Sequence, residues 1–178
     1  PSIDATQSGS AVATGPAYFK VWTKSGQVYE YGRTPSDTTS QSAYVVSQGS
    51  KLITSWLVAR IGDIASSATN DNYIRFSYDQ YDDDKNFGSA PNTSALSAYA
   101  AHRSSLKEIK YSGNRIMIGL GERNDKRESY ATGARTVTND RYIKITVYAA
   151  GQQQRTMYLT YDTGPASKRS VLKTIQEC

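Results

Sequence analysis

The sequence predicts an all-β protein, built of sequential antiparallel hairpins that form a curled meander sheet or a sandwich, with little helix. Three observations carry this. Tyr73-Ile74-Arg75-Phe76-Ser77-Tyr78-Asp79 and Thr156-Met157-Tyr158-Leu159-Thr160-Tyr161-Asp162 both alternate large apolar or aromatic residues with polar ones and end in Tyr-Asp. Tyrosine outnumbers the other aromatics, 14 against 3 Phe and 2 Trp, and its ring packs on a half-wet sheet while its hydroxyl stays solvated. Gly-bearing turns also recur between short β-rich runs.

Residues 1–16 are small and polar and read as a flexible arm or linker, because they cannot bury enough surface to hold themselves down. Residues 17–178 read as a single β-rich domain with enough chain to bury a real core. Tyr18–Trp22 and Gln27–Tyr31 flank Thr23-Lys24-Ser25-Gly26 and predict the first hairpin. Gly32–Gly49 is mostly loop, interrupted by a β-like Ala43–Val46. Lys51–Ile61 is ambiguous by period alone; its β-branched residues, its Trp and the later Tyr73–Tyr78 partner favour one strand. Gly62–Asn72 is an enlarged polar turn, and Leu96–Arg103 has the spacing of one or two helical turns.

A second echo follows. Arg103–Ile109 and Arg169–Ile175 agree at five of seven positions. Lys107 and Lys173 can sit between an inward Leu and Ile only where the strand carries a bulge or a wide twist. Tyr111-Ser112-Gly113-Asn114-Arg115 turns the chain into Ile116–Leu120, with Gly supplying the positive φ of a tight turn. Asn124–Asp140 is charged enough to read as a long loop, with a short strand at Arg135-Thr136-Val137. Arg141–Tyr148 and Arg155–Tyr161 form the last hairpin across Ala150-Gly151-Gln152-Gln153, and Val171–Ile175 is the outgoing strand. The sum is nine or ten strands, mostly neighbours in sequence order.

Composition limits the chemistry. The net charge of +5 comes from basic residues interleaved with acidic ones, not from a nucleic-acid footprint. No apolar run is long enough to span a membrane as a helix. The lone Cys178 allows no intrachain disulfide and, following a strand, gives the chain the look of a fragment of a larger one. Pro1 starts the chain without a basic-then-apolar leader. His102, the one histidine, sits beside Arg103 in a loop and reads as a spectator, with no triad around it. Asp82, Asp83 and Asp84 with Asn86 offer hard oxygen ligands for a cation; the simpler reading is a solvated acidic loop. Asp63, Asn70, Asp71 and Asn72 are read as shaping their turn. Trp22, Tyr29, Tyr31, Tyr73 and Tyr78 are the candidate binding surface for sugar or peptide, set against plain packing. No phosphate-cradling Gly loop, zinc spacing or dinucleotide fingerprint occurs.

Several stretches resemble one family in the same order. Trp56-Leu57 through Ile61-Gly62-Asp63, then Asn72-Tyr73-Ile74-Arg75-Phe76-Ser77-Tyr78, resembles the signature of Rhs/YD-repeat proteins. Phe19–Gly32 looks like that family's strand, Gly turn and Tyr-x-Tyr-Gly hairpin. Leu106–Asn114, Glu122-Arg123-Asn124-Asp125 and Arg169–Cys178 are similar to further segments, with Asn124 standing where proline is usual. Together these resemble the Salmonella plasmid virulence B / insecticidal toxin-complex B-component family from about Tyr18 to Cys178. The resemblance implies a non-catalytic, secreted scaffold segment whose hairpins join a shell that holds or presents a toxin part. It implies no cofactor. Its partners would be the remainder of a larger parent protein or another chain, or a second copy joined through sheet edges. Some relatives carry an ADP-ribosyltransferase domain; its Ser-Thr-Ser and Glu-x-Glu elements are missing here. Two other readings stay open: a stand-alone β-sandwich module binding glycan or protein, and a partner or inhibitor of a secreted enzyme.

Overall fold

The computed structural model describes residues 16, 18–32, 43–46, 53–64, 72–81, 103–130 and 136–178. Eleven strands run through them and no helix does. They are β1 (Tyr18–Trp22), β2 (Gln27–Gly32), β3 (Tyr44–Val46), β4 (Ile53–Trp56), β5 (Val58–Asp63) and β6 (Tyr73–Tyr81), then β7 (Arg103–Tyr111), β8 (Asn114–Ser129), β9 (Thr136–Ala149), β10 (Gln152–Thr163) and β11 (Ser170–Glu177). Nine of them form one open sheet in the order β1-β2-β5-β6-β7-β8-β9-β10-β11, every neighbour antiparallel. That is the meander alternative. The two alternating stretches that end in Tyr-Asp fall in β6 and β10, and β6 pairs with β5.

Lys51–Ile61 is not one strand. The chain breaks at Leu57, whose N–H donates to the Ala43 carbonyl at 2.6 Å while its carbonyl accepts from Gly32 N–H at 2.9 Å. Leu57 thus joins two sheets: β4 pairs with β3 in a separate hairpin, and β5 enters the main sheet beside β2. Asn124–Asp140 is not a long loop either. β8 runs to Ser129 and, past an irregular stretch between Glu122 and Arg127, pairs Arg127, Glu128 and Ser129 with Thr138, Val137 and Thr136. Arg127, Glu128 and Ser129 are exposed, and a strand end in water needs no apolar alternation, so its polarity hid it. Of the stretch Leu96–Arg103, expected to make one or two helical turns, residues 96–102 lie outside the described residues and Arg103 begins β7.

The bulge condition on the two lysines is met at both. Glu108 faces Ser77 and Leu106 faces Tyr78, leaving Lys107 unmatched; Thr174 faces Thr160 and Leu172 faces Tyr161, leaving Lys173 unmatched. The β7–β8 turn has Ser112 at φ 43° and Gly113 at φ 76°, and the β9–β10 turn has Ala150 at φ 48° and Gly151 at φ 78°. Two positive values in succession make the tight turns whose twist matches the flanking strands.

Register and the two-residue side-chain period assign the faces. One carries Phe19, Val21, Tyr29, Tyr31, Ile61, Ile74, Phe76, Ile109, Ile116, Ile145, Val147, Met157, Leu159 and Ile175, an apolar stripe from edge to edge. The other carries Lys20, Glu30, Arg60, Arg75, Lys110, Arg115 and Tyr148 as one row of direct cross-strand neighbours. The described residues do not make up the expected core by themselves. Among the described residues the buried apolar ones are Tyr18, Val28, Ala43 and Ala59, and no large side chain is fully buried. Every residue of the apolar stripe is half-buried or exposed. A single sheet buries its apolar face only when a second layer covers it. The β3–β4 hairpin reaches that face at Phe19, where the Trp56 ring meets it edge-on at 4.7 Å and Trp56 Nε1 donates to the Pro16 carbonyl at 2.8 Å.

Candidate functional site

The polar row is the most organised chemistry among the described residues. β1, β2, β5, β6, β7 and β8 each place one charged side chain in it, about 4.8 Å from the next. Four consecutive members, Arg60, Arg75, Lys110 and Arg115, are cations. Like charges directly opposite on neighbouring strands repel, so the row depends on what stands between them. Buried Glu30 bridges Lys20 at 3.2 Å and Arg60 at 4.0 Å. Glu108 bridges Lys110 at 3.1 Å and Arg115 at 3.9 Å. Tyrosine rings support the guanidinium groups: Arg60 lies 3.9 Å and Arg75 5.3 Å from the Tyr73 ring centre, and Arg115 lies 4.3 Å from that of Tyr148. Arg75 also donates to the Tyr73 hydroxyl at 2.8 Å.

This row ends in a hollow of about 320 Å³. Tyr73, Arg75, Lys110, Arg115 and Tyr148 line it together with the two tight turns. Ser112 and Gly113 from the β7–β8 turn and Gly151 from the β9–β10 turn are the turn residues that line it.

Two polar clusters elsewhere hold the fold. Buried Ser105 donates to buried Asp140 at 2.6 Å and ties β7 to β9. Asp125 takes both Arg123 nitrogens, at 3.1 and 3.0 Å, and accepts from the Ser170 N–H at 2.8 Å and from the Ser170 hydroxyl. The Arg123 guanidinium first, then the two Ser170 donors, hold the Asp125 carboxyl well below the usual carboxylate range. Arg141 donates to the same Ser170 hydroxyl at 3.0 Å and stacks 4.8 Å from the Tyr161 ring centre. The start of β11 is therefore pinned to the irregular middle of β8.

The five aromatic candidates are divided between the faces. Tyr73 and Trp22 lie on the polar face, Trp22 with the Lys20 ammonium 5.5 Å from its ring centre. Tyr29, Tyr31 and Tyr78 lie on the apolar face. Tyr29 and Tyr31 stack at 6.4 Å, as alternate residues of one strand should. The Tyr78 hydroxyl donates to the Val58 carbonyl at 2.7 Å, and burial, then the nearby Tyr142, pushes its pKa up to about 12. Only Tyr73 belongs to the hollow. Asp82, Asp83, Asp84 and His102 lie outside the described residues. Asn72 donates to the Asp63 carboxylate across its turn, in keeping with a turn-shaping role. Sequence reasoning missed the cation row because Arg60, Arg75, Lys110 and Arg115 are spread over four strands, with gaps that vary from 5 to 35 positions. Only strand register could have aligned them.

In architecture this is an open, antiparallel, toxin-complex-like sheet. The N-terminal domain of effector protein SpvB from Salmonella typhimurium strain LT2 has a similar fold, with TM-score 0.64 and 13% identity over 90% of this chain and 60% of that one. A chain of the TcdB2-TccC3-Cdc42 structure matches with TM-score 0.64 and 15% identity over 96% of this chain and 10% of that one. A TcdB2-TccC3 chain matches with TM-score 0.63 and 15% identity over 90% and 10%. The chain thus spans about 60% of the SpvB domain and about 10% of the TcdB2-TccC3 chains. No protein-family model matches it, and no curated protein matches it in sequence.

Proposed function

We propose that this chain is a non-catalytic scaffold segment of a secreted, toxin-complex-like protein, whose apolar face and sheet edges are covered by the rest of a larger protein or by another chain. One observation carries the reading: an apolar stripe crosses the whole nine-stranded sheet, yet none of its members is buried among the described residues. A continuous apolar stripe of that extent, with Val21, Ile74 and Ile175 exposed and the rest half-buried, is the kind of surface that marks an interaction site. The fold shared with SpvB and TcdB2-TccC3 chains, of which this chain covers only part, fits a piece that works inside something larger.

Dye binding tests this directly. The isolated chain should enhance the fluorescence of anilinonaphthalene sulfonate while its near-ultraviolet circular dichroism remains that of an ordered protein. An ordered, monodisperse chain that leaves the dye dark would show the stripe to be covered within this chain, and the scaffold reading would fail.

A further inference from the structure

We infer that the cation row of the polar face is a docking site for an acidic peptide segment, one that carries carboxylates at alternate positions and crosses β6, β7 and β8. It is independent of the apolar stripe, which lies on the opposite face of the sheet.

Spacing makes the first case. Arg75, Lys110 and Arg115 are consecutive in register, so they stand about 4.8 Å apart across the strands and span about 10 Å. An extended peptide advances about 3.3 Å per residue, which sets alternate side chains about 6.7 Å apart. The two gaps between three cations are centred about 4.8 Å apart, so two carboxylates about 6.7 Å apart fall one in each gap, displaced outward from its centre, and each can still be shared by a pair of cations. Glu108 already demonstrates this sharing, because it bridges Lys110 and Arg115 from within the sheet.

Preorganisation makes the second. Arg115 is held by the Tyr148 ring and Arg75 by the Tyr73 ring and hydroxyl, so the guanidinium groups lose little freedom on binding. The hollow of about 320 Å³ between those rings has room for the intervening side chains, and its tyrosine walls suit small apolar ones. A peptide fits better than a nucleic acid. Glu30 within the row and Glu108 beside it repel an unbroken phosphate backbone, whereas a segment with spaced carboxylates can alternate with them.

The test uses a fluorescein-labelled peptide Gly-Glu-Ala-Glu-Ala-Glu-Gly, followed by fluorescence anisotropy against the full 178-residue chain. Binding should appear, weaken with added salt, and fall about tenfold in the double variant Lys110→Gln/Arg115→Gln, which loses two charge-assisted contacts. Lys110→Gln alone changes an exposed side chain, so its smaller loss guards against a folding artefact in the double variant. Arg155→Gln removes one positive charge from the opposite face, where Arg155 pairs with Glu177 at 2.8 Å, and should bind like the parent. Three results would overturn the proposal: no binding at millimolar peptide, an equal loss in Arg155→Gln, or tighter binding of a labelled oligothymidylate of equal charge.

Discussion

At the scale of single residues, Asp125 shows how far one carboxylate can organise a wide strand. Its four contacts to Arg123 and Ser170 fasten the start of β11 to β8, 45 positions away in sequence. The sign of the pH effect follows from its depressed pKa. A carboxyl that ionises more readily folded than unfolded adds stability above its unfolded value, about 3.9, and loses it as the pH falls through the folded value. Asp125→Asn should therefore melt below the parent at pH 7, and the gap should close as the pH drops under 4. Thermal melts of both proteins from pH 7 to pH 2 measure this. A gap that stays constant would mean that Asp125 acts through its size and not its charge. Nothing in the sequence pointed to Asp125 as a fastener, because its partner Ser170 is remote and its own segment read as loop.

At the scale of elements, legibility tracked whether the signal was local. The hairpin turns were legible, since Ser112-Gly113 and Ala150-Gly151 lie between alternating runs and only a turn with positive φ joins them tightly. The two lysine bulges were legible in conditional form, because an echoed Leu-Lys-x-Ile cannot place both apolar residues inward on a plain strand. The break at Leu57 was not: it depends on carbonyl and amide partners at Ala43 and Gly32, which no local pattern reveals. Gly121 was hidden in the same way. A Cβ there would come within 2.8 Å of Ile143, the residue left over by the register shift opposite Leu120. The turns allow a clean test of strain. Ala150 holds φ 48°, a left-handed conformation costing an L-residue about 1 kcal/mol, whereas Gly adopts it freely and Asn more readily than Ala. Ala150→Asn should raise stability by up to about 1 kcal/mol, read from urea unfolding midpoints at unchanged slope. An unchanged or lower midpoint would show that this turn bears no strain.

At the scale of the whole molecule, the fold class was legible, and the half-buried state of the sheet's apolar face among the described residues was not. Alternation tells which side chains share a face; whether another layer covers that face is a tertiary fact. The row of cations and the stripe of apolar groups are two outcomes of the same alternation, and they give the sheet one face tied by its own contacts and one that is left partly open among the described residues. The edges are incomplete too. β1 ends the sheet with five residues, and β11 ends it with eight, all but Ser170 exposed. Unpaired strand edges recruit other strands, and the longer, more apolar edge recruits best. Val171, Leu172 and Ile175 are 51%, 46% and 60% exposed, which makes β11 the edge through which the isolated chain should self-associate. Light scattering across protein concentration should then show the molar mass rising. Ile175→Lys should suppress the rise without loss of folding, because Ile175 buries little and lysine is a common guard of exposed edges. Val21→Lys on β1 should leave the rise intact. If Val21→Lys suppressed it and Ile175→Lys did not, the joining edge would be β1, and the chain would be extended from its other side.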